Sequence, residues 1–211
     1  MKVKSNLDVI IYDHIVDSLI LGEYQMGQTI LLDEFANKYE VSRTPVTQAV
    51  RLLANDGLLE MMKNGRVMVP VFEEEQMAKI CEVRLLMEEF AIEKILGMEQ
   101  ADDAFYDLLD DIAVKGIQAL HMDDKLQFNK KDLEFHRTLI AKCGNEYLTA
   151  EYKRIQGKFI VANYLILPLE ERNFEKAAKS HVQLVKLMRD HDLAGSLKKM
   201  KEHIFSFSAP F

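Results

Sequence analysis

The chain has 211 residues, 48% hydrophobic and 29% charged, with a net charge of −7; it is long enough for one large or two modest domains, and the composition is that of an ordinary soluble globular protein. Asp8, Asp13 and Asp17 interrupt any signal-peptide core, and the longest uncharged apolar run, residues 159–169, is too short for a membrane span and contains Pro168. Cys81 and Cys143, on separate predicted helices, read as reduced thiols, so we expect a cytoplasmic protein.

Leu7, Ile10, Ile11, Ile15, Leu19 and Ile20 predict a first helix over residues 6–21, closed by Gly22. Residues 24–29 read as a loop around Gly27. A second helix, 31–39, turns Leu32, Phe35, Ala36 and Tyr39 inward, and Glu40-Val41 makes a tight turn. The next stretch reads Ser-Arg-Thr-Pro-Val-Thr-Gln-Ala-Val-Arg-Leu-Leu from Ser42. Ser42 or Thr44 serves as N-cap, and Pro45 suits a first helical turn. Val46, Ala49, Val50 and Leu53 form one apolar face, leaving Arg43, Thr47, Gln48 and Arg51 outside, and Gly57 stops the helix. A major groove accepts such a helix. Residues 58–62 and 66–71 predict two short strands joined by Lys63-Asn64-Gly65, with Arg66 beside the turn. Three helices and a hairpin make a winged helix-turn-helix over residues 1–72.

Charge is a weak advertisement for nucleic acid. Residues 1–72 hold 7 basic and 9 acidic residues, or −2, and the remainder 20 and 25, or −5. Between Ser42 and Val69, however, Arg43, Arg51, Lys63 and Arg66 face only Asp56 and Glu60. Positive charge is local, so DNA affinity is modest per subunit and improved by dimerisation.

From Glu73 onward strand signals vanish. Helical periodicity predicts six helices, over 74–97, 101–120, 125–143, 146–167, 170–191 and 193–207. Gly97, residues 121–124, Gly144-Asn145, Pro168 and Gly195 mark the breaks. The fold class is therefore mainly α, the winged domain being followed by an all-helical bundle over 73–211.

In the third of these helices Asp132 and His136 stand i,i+4, sharing a face. Alone, such a pair reads as a surface polar pair or a core histidine. His181 and His203, on later helices beside apolar stripes, add two imidazoles. One carboxylate and three imidazoles suit Zn²⁺, Ni²⁺ or a similar divalent ion. His14, His121 and His191 have no comparable surroundings and read as surface residues.

Ser42-Arg43-Thr44-Pro45-Val46, with Ala49-Val50-Arg51-Leu52-Leu53 and Asp56-Gly57-Leu58-Leu59, resembles the recognition helix of the GntR family of bacterial transcription regulators. Asp132, His136, His181 and His203 match the metal signature of the FadR-type branch, whose ligand-sensing part is the FCD domain. Glu82-Val83-Arg84 with Met87-Glu88, and Cys143-Gly144-Asn145, are similar to other stretches of that domain. Six helices resemble the shorter, VanR-like subgroup. The resemblance implies a homodimer on palindromic double-stranded DNA, repressing until a small carboxylic-acid effector binds at the metal. Arg84 is then a second anchor for the acid, since a guanidinium matches a carboxylate bidentately.

The chain departs from the family at Thr47, where arginine is common, at Gln48, where glutamate is, and at Asp33, where FadR-type relatives often carry a basic residue. Arg43 and Arg51 remain, Thr47 and Gln48 offer hydrogen bonds and a methyl group to bases, and the wing residues Lys63, Asn64 and Arg66 offer backbone or minor-groove contacts. Two other readings of the C-terminal residues stay open: a metal-dependent enzyme, although no general base, phosphate loop or nucleophile elbow accompanies the ligands, and a purely structural metal.

Overall fold

The computed structural model describes residues 7–98, 103–166 and 173–206. Pro168 and the outer ends of five predicted helices lie outside these residues. Helix α1 (Leu7–Ile20) buries Ile11, Ile15 and Leu19, an i, i+4, i+8 row on one face. Strand β1 (Thr29–Ile30) precedes α2 (Leu32–Lys38) and α3 (Arg43–Asn55). Helix α3 buries Val46, Ala49, Val50 and Leu53, the face read from the sequence. It ends in a Schellman turn: Gly57, at φ +78, donates to Ala54 O, and Leu58 N donates to Leu53 O at 2.9 Å.

Strands β2 (Glu60–Met61) and β3 (Val67–Met68) form the wing, shorter than expected. Its turn closes through Met62 N to Arg66 O at 2.8 Å, with Gly65 at φ +80. The sheet has three strands rather than two, because β1 pairs antiparallel with β3, Thr29 opposite Met68. That pairing joins the stretch read as a loop to the wing.

The second part holds α4 (Glu74–Leu96), α5 (Asp103–His121), α6 (Lys125–Lys142), α7 (Glu146–Ile166), α8 (Phe174–Arg189) and α9 (Leu193–Ile204). Asp124, Asn173 and Asp192 cap α6, α8 and α9 by accepting from the backbone N–H three residues on. Helix α4 packs against α6, α7 and α9, and α5 against α6 and α8. Among the described residues no helix is long and apolar enough to cross a membrane.

The two halves share a core. Leu133 from α6, with Ile160, Val161 and Tyr164 from α7, is buried in one cluster with Ile11, Ile15, Val50 and Leu53. Leu133 thus packs on the winged half rather than in the bundle interior. The end of α3 is pressed onto α7. Buried Asp56 accepts from Tyr12 Oη and pairs with Lys153 Nζ, both at 2.8 Å. A Cβ on Gly157 would stand 1.8 Å from Asp56 O, so only glycine permits this approach.

Candidate metal centre and nucleic-acid interface

Asp132 and His136 lie one turn apart on α6, His181 on α8 and His203 on α9, and all four are buried. Helical periodicity alone turns each inward, because each sits among the apolar positions of its helix. The three Nε2 atoms form a triangle: His136 to His203 3.0 Å, and His181 to each of the others 3.2 Å. Asp132 Oδ1 stands farther out, 3.4 Å from His181 Nε2 and 3.9 Å from His203 Nε2. Phe135 stacks on the His181 ring at 4.2 Å.

The triangle fits a metal ion. Nitrogens sharing one ion at about 2.0–2.1 Å, with angles between right and tetrahedral, stand roughly 2.9–3.4 Å apart. Hydrogen bonding among the rings does not account for it as well. His136 Nδ1 donates to Glu88 Oε2 at 2.6 Å, which leaves its Nε2 with a lone pair. The three close nitrogen pairs then share at most two protons, so at least one pair meets lone pair to lone pair or N–H to N–H. Burial holds all three imidazoles well below their usual pKa, the charge of Arg84 adding to it, and the neutral ring is the form that ligates.

Behind His136 lies a buried layer in which the resemblance implies a role for Arg84 alone. Glu88 Oε1 accepts from Arg84 Nε and from Tyr152 Oη, each at 2.7 Å, and all three side chains are buried. The Arg84 guanidinium also lies over the Phe159 ring at 4.2 Å. Burial works against its charge, but Tyr152, Glu88 and Asp132 offset that and raise its pKa. Its terminal nitrogens, Nη1 and Nη2, are buried with no hydrogen-bond partner of good geometry. An orphaned guanidinium edge is costly and fits an anion. The available signal was the i,i+4 spacing of Arg84 and Glu88, which reads equally as an exposed ion pair.

The residues expected to face DNA lie at the start of α3 and on the wing. Ser42 is the N-cap by backbone conformation, yet its side chain makes no capping hydrogen bond. Ser42, Thr44, Gln48, Arg51, Lys63 and Asn64 all face solvent. Two residues differ from expectation. Arg43 is not a free cation, since its Nε and Nη2 grip both carboxylate oxygens of Asp33. Thr47 turns its hydroxyl onto Arg43 O at 2.8 Å, leaving chiefly its methyl group for a base. Arg66 Nη2 donates to Thr29 Oγ1 at 3.0 Å, and one open groove of Thr29, Asp33, Arg43, Gly65 and Arg66 unites helix and wing.

Two family models match the chain: the FCD domain over residues 79–206, and bacterial regulatory proteins of the gntR family over residues 8–69. The gluconate operon transcriptional repressor of Bacillus licheniformis is 24% identical over 191 residues, covering 88% of this chain and 76% of its own length. Among solved structures, E. coli McbR/YncC superposes with a TM-score of 0.75 at 17% identity, over 94% of this chain and 93% of that one. A GntR transcriptional regulator from Rhodococcus sp. RHA1 gives 0.76 at 14% identity, over 95% and 94%. At such identities the structural likeness speaks for the fold.

Proposed function

Because the chain belongs to the GntR family of bacterial regulatory proteins and carries an FCD domain, we propose that it is a cytoplasmic, homodimeric repressor whose grip on a palindromic operator is set by a small carboxylic acid bound beside a divalent metal. It is a DNA-binding transcription regulator, so the enzyme reading is set aside. Residues 1–72 are the reader and 73–211 the sensor, and six described helices in the sensor fit the VanR-like subgroup.

One observation carries the sensing reading: three histidine nitrogens at ion-sharing distances, next to an Arg84 edge with two unsatisfied donors. Asp132, His136, His181 and His203 would hold Zn²⁺ or Ni²⁺, which supplies positive charge and an open position for a carboxylate oxygen. Arg84 takes the acid's other oxygen, and Glu88 keeps both Arg84 and His136 aimed. Helix α7 links sensor to reader. Tyr152 and Phe159 face the Arg84–Glu88 layer, whereas Lys153 and Gly157 hold the end of α3. An acid that moves Arg84 therefore acts on the helix that seats the recognition helix. Arg43, Arg51, Gln48 and Thr47 read the major groove, with Ser42, Thr44, Lys63, Asn64 and Arg66 on the backbone.

The test is native mass spectrometry of the purified protein, followed by calorimetric titration of metal and then of acids, gluconate first, into stripped protein. Gluconate is chosen because relatives are named for the gluconate operon. Metal binding with acid binding that needs both the metal and Arg84 supports the reading; acid binding that survives Arg84→Met and chelation sinks it. The burial of all four ligands favours a second reading, a purely structural metal. In that case EDTA collapses the bundle's helicity instead of abolishing acid binding alone.

A further inference from the structure

Helix α4 has two faces of different use. Its buried face carries Arg84 and Glu88 into the metal layer, and packs on α6, α7 and α9. Its outer face is exposed yet apolar at the centre: Leu86 is 68% exposed, Phe90 46% and Val83 41%. A leucine, a phenylalanine and a valine within two turns of one helix face form an apolar strip, the kind of feature that marks a contact surface.

The spacing and charge of the strip specify what covers it. Lys79, Val83, Leu86, Phe90 and Glu93 follow one another at steps of four, three, four and three, one continuous seam along the helix. Lys79 and Glu93 are both exposed and lie seven residues to either side of Leu86. An antiparallel copy related by a two-fold axis at Leu86 therefore sets Leu86 against itself and Val83 beside Phe90. It also brings Lys79 to Glu93 of the second copy at both ends. A parallel copy would set lysine against lysine and glutamate against glutamate. Such self-complementarity is what an isologous two-fold contact needs. Glu82 and Glu89 fall on the outer rim of the seam, where water and salt screen them. Lys79 already pairs with Glu75 at 2.6 Å, both exposed, so exchanging that partner costs little.

We infer that the outer face of α4 is the surface on which two copies of this chain meet, antiparallel about Leu86. This rests on the homodimer reading above and names its surface. The seam and the metal layer are opposite faces of one rigid helix, with Arg84 and Glu88 either side of Leu86 in sequence. A displacement of α4 at the sensor is thereby a displacement of the dimer axis, which sets the spacing of the two recognition helices.

The experiment is sedimentation equilibrium of the full-length, zinc-loaded protein, with circular dichroism to show that each variant is folded. Leu86→Glu should leave a folded monomer at concentrations where the parent is dimeric. Lys79→Glu alone and Glu93→Lys alone should each weaken the dimer by about tenfold, and the double swap should restore it. A Leu86→Glu protein that stays dimeric, or a double swap no better than the singles, would overturn the surface while leaving the homodimer reading intact. A monomeric parent would overturn both.

Discussion

The start of α3 and the histidine cluster use charged and polar residues in opposite surroundings. On α3 and the wing the side chains are exposed and loosely committed, and Arg43 has its fork taken by Asp33. In the cluster all four side chains are buried, His136 is held by Glu88, and Glu88 in turn by Arg84 and Tyr152. On the proposed function, the exposed surface gains its strength by repetition across a dimer and by long-range attraction to phosphate. The buried site gains it from few groups held in place, each of which is expensive to disturb. Changes in the sensor should therefore have large, local effects, and changes in the reader small, distributed ones.

The largest effect is expected from His136→Ala. Taking a quarter of the roughly 10–16 kcal/mol typical of a four-ligand zinc site, zinc affinity should fall on the order of a hundred- to a thousandfold. Competition with a chromophoric chelator measures this, and full metal content in the variant would remove the four-ligand site. Next is Gly157→Ala at the joint between the regions. The added methyl group would meet Asp56 O at 1.8 Å, so α7 and the end of α3 must part. We expect a loss of about 1–3 kcal/mol of stability in urea denaturation, the usual cost of overpacking. Zinc affinity should stay nearly unchanged while its influence on DNA binding is lost.

Glu88→Gln ranks third. The amide keeps the shape but has one acceptor oxygen where the carboxylate has two, so it cannot accept both from His136 Nδ1–H and from Arg84 and Tyr152. Zinc affinity should fall about 10- to 100-fold, as is usual when a ligand's hydrogen-bond partner is changed. An affinity equal to the parent's would show that Glu88 does not aim His136. Tyr152→Phe, which removes only one donor from Glu88, should fall well short of that.

The two regions were also unequally legible before the structure. The face of α3 and its Gly57 stop were readable because Val46, Ala49, Val50 and Leu53 are held apart at helical spacing by polar residues. Strand β1 was not, since two residues, Thr29 and Ile30, show no alternation, and only β3 defines them as a strand. That Asp132, His136, His181 and His203 gather was legible through their spacing and resemblance, but the places of Glu88 and Tyr152 were not. A buried carboxylate and an exposed one look alike in sequence until the packing of α4 on α6 and α7 is known. Helix α6 shows the same difficulty, as it is wedged between two cores and buries both sides.

The smallest effect, and the one that bears most directly on the reader, concerns Asp33. Its carboxylate lines the open groove between helix and wing and holds Arg43 by two hydrogen bonds, both partners largely exposed. Exposed pairs of this kind contribute little to stability, so Asp33→Asn should leave unfolding unchanged. Binding is another matter. The substitution removes a negative charge from the DNA-facing groove and releases an arginine to bind phosphate, which adds counterion release without adding base readout. Affinity for a duplex of arbitrary sequence should therefore rise a few-fold, about 3–10 times at low salt. The slope of log affinity against log salt should steepen by about one. Fluorescence anisotropy at two salt concentrations measures both. If Asp33 instead serves to aim Arg43 at a base, arbitrary DNA gains nothing and the operator alone is bound more weakly. Either result fixes whether the pair restrains the reader's electrostatics or orients its base contact.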